Sequence, residues 1–487
     1  MGIFSPAPYP HRRQDPTLTT DTDSVFEKIA RSKDPANRMY SSKKGLMLWG
    51  LFNAVFAILF TIVKLRGFIG GFAWTIDFVL PVSCLLHVMS GALLFKLPIR
   101  FTITGFVCIV FYAWMLVSGL LVNHDIGRTL LNTMGWQTIF LLNYITLALS
   151  LDQTVYCGPE IRTWVKRALL IVMGISGLVG VAQLLGVGFA RRFFESMDNT
   201  GMFRPNGATD YPSQLGFQGF AGMLLCAAPI IRRDLKWIEW LGFGFFGMVL
   251  LIAQYRSMYY AGFLTGFVPI MVFQFKRNKT TGMVILMTII SALIIPIILF
   301  PKKFEYGLRP ATNDPALMAR QQSWRQIEPI LSVRPWTGIG ADPNLMLSAQ
   351  IAATDKWSST SLDNFYFMVV TCFGYTGAIL TAIILLLLLG GISMRLAQSE
   401  GEAKEWSFMS LMCLICILLF SLTGNTLVYQ PVGFFFTCCL GLSSLTWREE
   451  LSVSKVTGIL VSIRRIFSRS HNAYPRQPQS RSTRPIS

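Results

Sequence analysis

FYFMVVTCFGYTGAILTAIILLLLLG, residues 365–390, runs for 26 positions without one charged side chain. About 20 consecutive apolar residues suffice for a helix to cross a bilayer, so this stretch is read as a transmembrane helix. Similar runs occupy 105–122, 168–189 and 283–300. The chain has 487 residues, 52% hydrophobic and only 14% charged, whereas soluble domains carry about 25% charged residues. A sequence this poor in charge cannot cover a water-facing surface. The expected fold class is an all-α integral membrane protein.

Extending the same reading gives about 12 transmembrane helices: 46–63, 72–95, 99–122, 130–151, 168–189, 214–231, 238–254, 257–275, 281–300, 365–390, 407–424 and 432–447. An even number puts both termini on one side. Lys and Arg are enriched in cytoplasmic loops, and 29 of the 43 basic residues fall on the side of the termini, 14 on the other. Both tails are therefore expected in the cytoplasm. The organisation is a polar cytoplasmic tail at 1–45, helices one to nine at 46–300, a large extracytoplasmic loop at 301–364, helices ten to twelve at 365–447, and a basic cytoplasmic tail at 448–487. The net charge of +18 does not indicate nucleic acid, which needs basic residues gathered on one folded face; here they lie between spans.

The first 45 residues do not have the basic-then-apolar form of a signal peptide, so the first span is expected to act as its own insertion signal. Beyond Ser468 the composition is that of disorder. Just before it, Val456, Ile459, Leu460, Ile463, Ile466 and Phe467 recur at helical spacing among basic residues. This segment is either a helix lying on the anionic inner leaflet or a last helix that snorkels its basic side chains. Eight of the nine cysteines fall within spans and Cys157 in a cytoplasmic loop. Cys413 and Cys416 have CxxC spacing, but in an apolar helix without a second pair they read as small buried residues.

The outer segments at 190–213 and 301–364 are long for a membrane protein, and long ordered loops are usually functional. Within the second, Asp314 can cap a helix opened by Pro315 whose apolar stripe, Leu317, Trp324, Ile327 and Leu331, ends before Pro335. Ionisable groups at membrane depth are costly and mark candidate sites. Asp77 and His87, ten residues apart near Pro81, do not share a helical face and are given structural roles. On the outer side stand Arg204 in FRPNG, Arg256 in QYRS, and Arg320, Arg325 and Arg334 in the large loop. Guanidinium groups converging on one cavity suit a phosphate or diphosphate, because Arg binds it bidentately and never deprotonates. There is no GxxxxGK[ST] for a nucleotide-driven pump. No Cys, His or carboxylate set has metal-ligand spacing, so neither a metal nor any other cofactor is expected. An extracytoplasmic transfer would draw on a donor activated in the membrane, and a lipid-linked diphosphate is the natural candidate.

Those residues carry a family resemblance. RQQSWRQIEPILSVRPWTGIG at 320–340, followed by DNFYFMVVTCFGYTG at 363–377, resembles the O-antigen ligase and Wzy-type polysaccharide polymerase superfamily. Arg320, Trp324, Pro335, Gly338 and Gly340 match the first part of its pattern; Asn364, Gly374 and Gly377 match the second. FRPNGATDYPSQLG at 203–216 and QYRSMYYAG at 254–262 are similar to its other arginine-bearing segments. The resemblance spans about residues 200 to 435.

The resemblance implies a GT-C-like fold and a metal-independent, inverting transfer of glycan from undecaprenyl diphosphate to an acceptor hydroxyl. Arg204 and Arg256 would hold the donor diphosphate and stabilise the leaving group. Arg320, Arg325, Trp324 and Asn364 would contribute to substrate binding. The ligase branch usually has His where this chain has Asp363, and an ordinary carboxyl, with pKa near 3.9 against about 6.5 for His, is a weak base. With a good leaving group, a carboxylate that orients the hydroxyl and receives its proton late suffices. Asp363 is thus read as acceptor-positioning or as base, with a helix N-cap as the other reading. The Asp-Asn pair favours a polymerase of exopolysaccharide, capsule or O-antigen units over a ligase acting on lipid A core or a protein oligosaccharyltransferase. A flippase or transporter would show paired internal repeats, and none is detected. The expected partners are lipid-linked oligosaccharide donor and acceptor, membrane lipids, chain-length regulators and export proteins.

Overall fold

The computed structural model describes residues 35–62, 73–100, 102–124, 126–127, 129, 142–190, 204–209, 211–232, 236–287, 290, 327–340, 364–422 and 430–444. Among these residues all regular structure is helical, as expected for backbone that must satisfy its own hydrogen bonds in lipid. In order, the helices are α1 Pro35–Ile62, α2 Ala73–Phe95, α3 Ile103–Asn123, α4 Leu142–Cys157, α5 Ile161–Leu185, α6 Pro212–Ala227, α7 Trp237–Ile252, α8 Arg256–Gly262, α9 Val268–Arg277, α10 Ile327–Val333, α11 Phe365–Gln398, α12 Gly401–Phe420 and α13 Gln430–Leu442. A π-helical turn, Phe263–Phe267, joins α8 to α9 without a break. Six of these stretches are long and apolar enough to cross a membrane, and 79–95, 237–252 and 432–442 are shorter apolar helices. The protein is an all-helical integral membrane protein.

Leu46–Ser487 forms one compact unit and Met1–Gly45 a separate one. In the larger unit, burial separates central from peripheral helices. The α6 span is 94% buried, whereas the α11 span is 17% and the α3 span 22% buried. Apolar side chains on the outer helices, such as Leu386, Ile103 and Phe106, face outward, as lipid-contacting residues must. The centre packs through small residues, which let helices approach where lipid offers no hydrophobic contrast. A Cβ at Gly219 would stand 2.5 Å from the Leu250 nitrogen, and one at Gly222 2.2 Å from the Phe246 ring. Gly219 and Gly222 therefore set the contact of α6 with α7, while Gly216 faces Met258 of α8.

Polar networks join the helices elsewhere. His87 of α2 contacts the Leu46 carbonyl through Nε2 at 2.9 Å and Ser150 Oγ through Nδ1 at 3.1 Å, so Nε2 carries the proton and Nδ1 accepts. Ser83 donates to Asn53 Oδ1 at 2.7 Å and Trp49 Nε1 donates to Ser83 at 3.0 Å. Together these bonds tie α1, α2 and α4. Cys413 and Cys416 are fully buried free thiols in α12.

Several helices outrun their apolar stretches. Helix α5 begins at Ile161 rather than 168, α12 at Gly401 rather than 407, and α11 continues to Gln398 beyond 390. The reason lies in the charged residues added at one end of the bundle, which find partners there. Arg162, 2% exposed, donates to the carbonyls of Leu442 and Ser444. Arg395 donates to Leu440 O and Ser443 Oγ. Both arginines thus satisfy carbonyls at the C-terminus of α13, where no intrahelical donor remains. Glu405 on α12, 3% exposed, pairs with Arg232 and lies 4.0 Å from Lys166.

Candidate functional site

The opposite end of the bundle holds most of the described sequence motifs. Arg204 begins the segment 204–209, whose residues Pro205 to Thr209 are all buried. Two polar residues of α5 anchor it. Gln183 Oε1 accepts from the Asn206 and Gly207 amides at 3.1 and 2.9 Å, and its Nε2 donates to Asn206 Oδ1 at 2.9 Å and Gly207 O at 3.2 Å. Ser176 Oγ accepts from the Ala208 amide at 3.1 Å. Gly207 has φ +62°, and a Cβ there would lie 2.7 Å from the Ser176 carbonyl, so both conformation and space demand glycine. Pro212 then opens α6, where its missing N–H costs nothing.

Arg256 is the first residue of α8. The turn before it, Ala253–Tyr255, places the buried Gln254 at φ +51°, a left-handed conformation that costs a non-glycine residue about 1–2 kcal/mol. Strain of this kind is retained where surrounding structure imposes it. The Tyr259 hydroxyl donates to the Leu251 carbonyl, closing the turn from the other side. Tyr259 lies within electrostatic range of both Arg204 and Arg256. Two segments some fifty residues apart in sequence thus share one electrostatic neighbourhood.

The same end receives the start of α11. Asn364 caps it: its Oδ1 accepts from the Tyr366 and Phe367 amides at 3.0 and 3.2 Å, and its Nδ2 donates to the Leu422 carbonyl at 2.9 Å. The cap expected at Asp363 therefore falls one residue later. The side chain of Asn364, expected to bind substrate, is engaged in joining α11 to the end of α12. Phe365 N donates to Ser421 O at 3.1 Å, and the Tyr255 ring meets Phe420 edge-on, centroids 5.5 Å apart. Through α12, the Arg256 turn and the Asn364 cap are neighbours.

The glycines of the two-part motif have a shared structural cause. Gly374, at φ +64° and ψ −167°, breaks α11, which frees the carbonyls of Thr371 and Cys372 from their helical donors. The turn after α10 takes those places: Ile339 N donates to Thr371 O at 3.0 Å and Gly340 N to Cys372 O at 2.8 Å, while Tyr375 N donates to Pro335 O at 2.8 Å. Gly338 has φ +63°, and a Cβ on it would lie 2.4 Å from the Thr371 carbonyl oxygen. From α3, Ser118 Oγ donates to Thr337 O at 2.6 Å and Trp114 Nε1 to Phe373 O at 3.0 Å. The turn and the break form one clamp. Helix α10 stops at Val333, ahead of Pro335, as its apolar stripe implied.

Arg320, Trp324, Arg325 and Asp363 lie outside the described residues, as do the capping Asp314 and the basic segment around 456–467. Arg334 is described and exposed. Gln183, Ser176 and Tyr259 were not among the residues singled out from sequence. A signal for the first two existed: they stand seven positions apart in an apolar span, two turns apart on one face. Among the described residues, no group of three or more His, Cys, Asp or Glu is placed to hold a metal.

Fold and site together define a helical membrane protein with two arginines gathered at one end of its bundle. Residues 241–382 match the model of the O-antigen ligase family, so this part of the chain is similar to that family. The matched segment runs from α7 through the Arg256 turn and the clamp into α11. Members of this family are membrane enzymes that act on glycans, and the family implies lipid-linked glycan substrates in the membrane. No match to a curated protein was found.

Proposed function

We propose that this protein is a polysaccharide polymerase that joins undecaprenyl-diphosphate-linked oligosaccharide repeat units at the outer face of the bacterial inner membrane, with both termini in the cytoplasm. What supports the reading is that Arg204 and Arg256, from two separate segments, both lie within electrostatic range of Tyr259, and that the Arg256 turn and the start of α11 both pack on the end of α12. Arg204 and Arg256 hold the donor diphosphate. The acceptor hydroxyl oxygen attacks the anomeric carbon from the opposite face, the bond to the diphosphate oxygen breaks, and undecaprenyl diphosphate departs with the electron pair. The two fixed cations stabilise that developing charge. Asp363, covalently next to the anchored Asn364, orients the acceptor hydroxyl and takes its proton late. Arg320, Arg325 and Trp324, on the chain leading into α10, complete the substrate contacts.

Asp rather than His before Asn364 favours repeat-unit polymerisation over transfer to lipid A core. The test is glycan sizing with purified protein and a defined lipid-linked repeat unit, using Arg204→Ala, Arg256→Ala, Asp363→Ala and Asp363→Asn variants at equal membrane abundance. Polymer from the wild type and loss of it in the variants is the expected result. Full activity in all four removes the proposed site. Transfer only to a lipid A core acceptor makes the protein a ligase instead.

A further inference from the structure

A cavity of about 470 Å³ opens between α3, α4, α11 and α13, toward the bundle end opposite Arg204 and Arg256. Cys108, Phe111, Ile145, Ile384, Leu385 and Leu388 are among its apolar walls. Along α11 the lining extends from Thr381 to Gln398, about 25 Å at 1.5 Å per residue. The space is therefore elongated along the membrane normal, and it exceeds the roughly 15 Å that one leaflet's hydrocarbon occupies.

Its charged groups are confined to one end. Arg100, Asp152, Arg395, Gln398 and Ser444 all line the cavity there. Arg100 Nη1 lies 3.5 Å from Asp152 Oδ1, with the Arg100 side chain 25% exposed, and its guanidinium rests over the Tyr156 ring. Asp152 also accepts from the Ser444 hydroxyl. Arg395 is within electrostatic range of both Arg100 and Asp152. Among the described lining residues, Arg100 and Arg395 stand with a single carboxylate, Asp152, at the mouth of an apolar slot, a charge pattern that complements an anion.

We propose that this cavity binds one anionic phospholipid, its phosphate at Arg100 and Arg395 and an acyl chain lying along α11 between Thr381 and Arg395. A basic pocket between transmembrane helices is the form such sites take. A zwitterionic headgroup brings its own cation to the same mouth and is disfavoured there. The proposal does not depend on the reaction assigned to the other end.

The test uses the full-length protein in phosphatidylcholine nanodiscs doped with phosphatidylglycerol, with retained lipid counted by native mass spectrometry after release. The wild type should retain phosphatidylglycerol in clear excess over its share of the bilayer. Arg100→Ala should weaken this retention about tenfold, the scale of one charge-assisted contact, and Arg100→Lys should keep most of it. Leu385→Trp, which fills the slot without changing charge, should also abolish retention. Lys276, exposed at the end of α9, is the control, and Lys276→Ala should change nothing. Equal retention of both lipids by the wild type overturns the proposal, as does wild-type retention in both Arg100→Ala and Leu385→Trp. An equal loss in Lys276→Ala, or selective retention of a polyprenyl lipid in this slot, overturns it too.

Discussion

Substituting Gly374 by Ala tests whether the break in α11 is what holds the loop. The new Cβ would stand 2.3 Å from the Trp336 carbonyl carbon and 2.4 Å from its oxygen, both backbone atoms that no side-chain rotation can move aside. The left-handed φ of +64° adds about 1–2 kcal/mol for a residue with a Cβ. Relieving the clash lifts the 335–340 turn from α11, at the expense of the three backbone bonds from Ile339, Gly340 and Tyr375, each worth about 0.5–1.5 kcal/mol net. Partial release totals about 3 kcal/mol, which at 1.4 kcal/mol per factor of ten raises the opening equilibrium about a hundredfold. Hydrogen exchange at those three amides, measured in nanodiscs, should accelerate by about that factor. Gly390→Ala is the matched control on the same helix, because nothing lies within 4 Å of its Cβ position and alanine favours helix. If Gly374→Ala and Gly390→Ala leave the three amides equally protected, the clamp is not what fixes the turn.

Gln183→Leu removes the acceptor of two buried amides and should lower stability by about 2–5 kcal/mol, read as a fall in the thermal midpoint; it should also raise the donor KM, because the segment carrying Arg204 loses its anchor. Arg256→Lys keeps the charge but not the bidentate fork, so glycan transfer should fall about tenfold or more with the midpoint unchanged. Glu405→Ala leaves Arg232 and Lys166 without their shared carboxylate and should lower the midpoint, with Glu405→Gln intermediate, while transfer at the other end, measured per folded molecule, stays as in wild type. Gly222→Leu should separate α6 from α7 at Phe246 and reduce folded yield, whereas Gly174→Leu, with open space at its Cβ position, should not.

The sequence shows what physical periodicity and composition can carry. Apolar runs disclose the helices, because lipid demands about 20 of them in a row, and the runs fail at helix ends for the same reason. Arg162, Arg395 and Glu405 continue helices past the apolar limit only because carbonyls and counter-charges on other helices meet them, and sequence separations of up to 282 residues cannot be read from a local pattern. The 29 basic residues on the side of the termini were read as topology alone, yet Arg162 and Arg395 are structural donors to α13. Arg256 was legible because a charge in a short link between apolar spans stands out, and Arg204 because it lies at the edge of a span in a long outer segment. Tyr259, within electrostatic range of both, was not, since an aromatic at a span edge is ordinary in a membrane protein.

The two halves of the matched motif also differ in what they do. Gly338, Gly340 and Gly374 serve a junction: α11 is broken where the turn needs carbonyls, and the turn is shaped by glycines where α11 comes too close for a Cβ. Asn364 serves another, between α11 and α12. Neither junction includes Arg204 or Arg256 among the residues that form it. Each instead removes a degree of freedom from the ends of the chain stretch 341–363, which has Gly340 docked on α11 at one side and Asn364 capping α11 at the other. Both residues that flank this stretch are thus held by one helix, and the role proposed for Asp363 relies on its covalent bond to the capping Asn364. Catalysis by preorganised charge depends on such fixing, because a cation or carboxylate that must reorganise during bond breaking loses much of its effect. On this argument Gly374→Ala should lower the turnover number while leaving donor binding at Arg204 and Arg256 near the wild-type value. A Gly374→Ala protein with wild-type turnover and weakened donor binding would place the clamp's contribution at the donor instead of at Asp363.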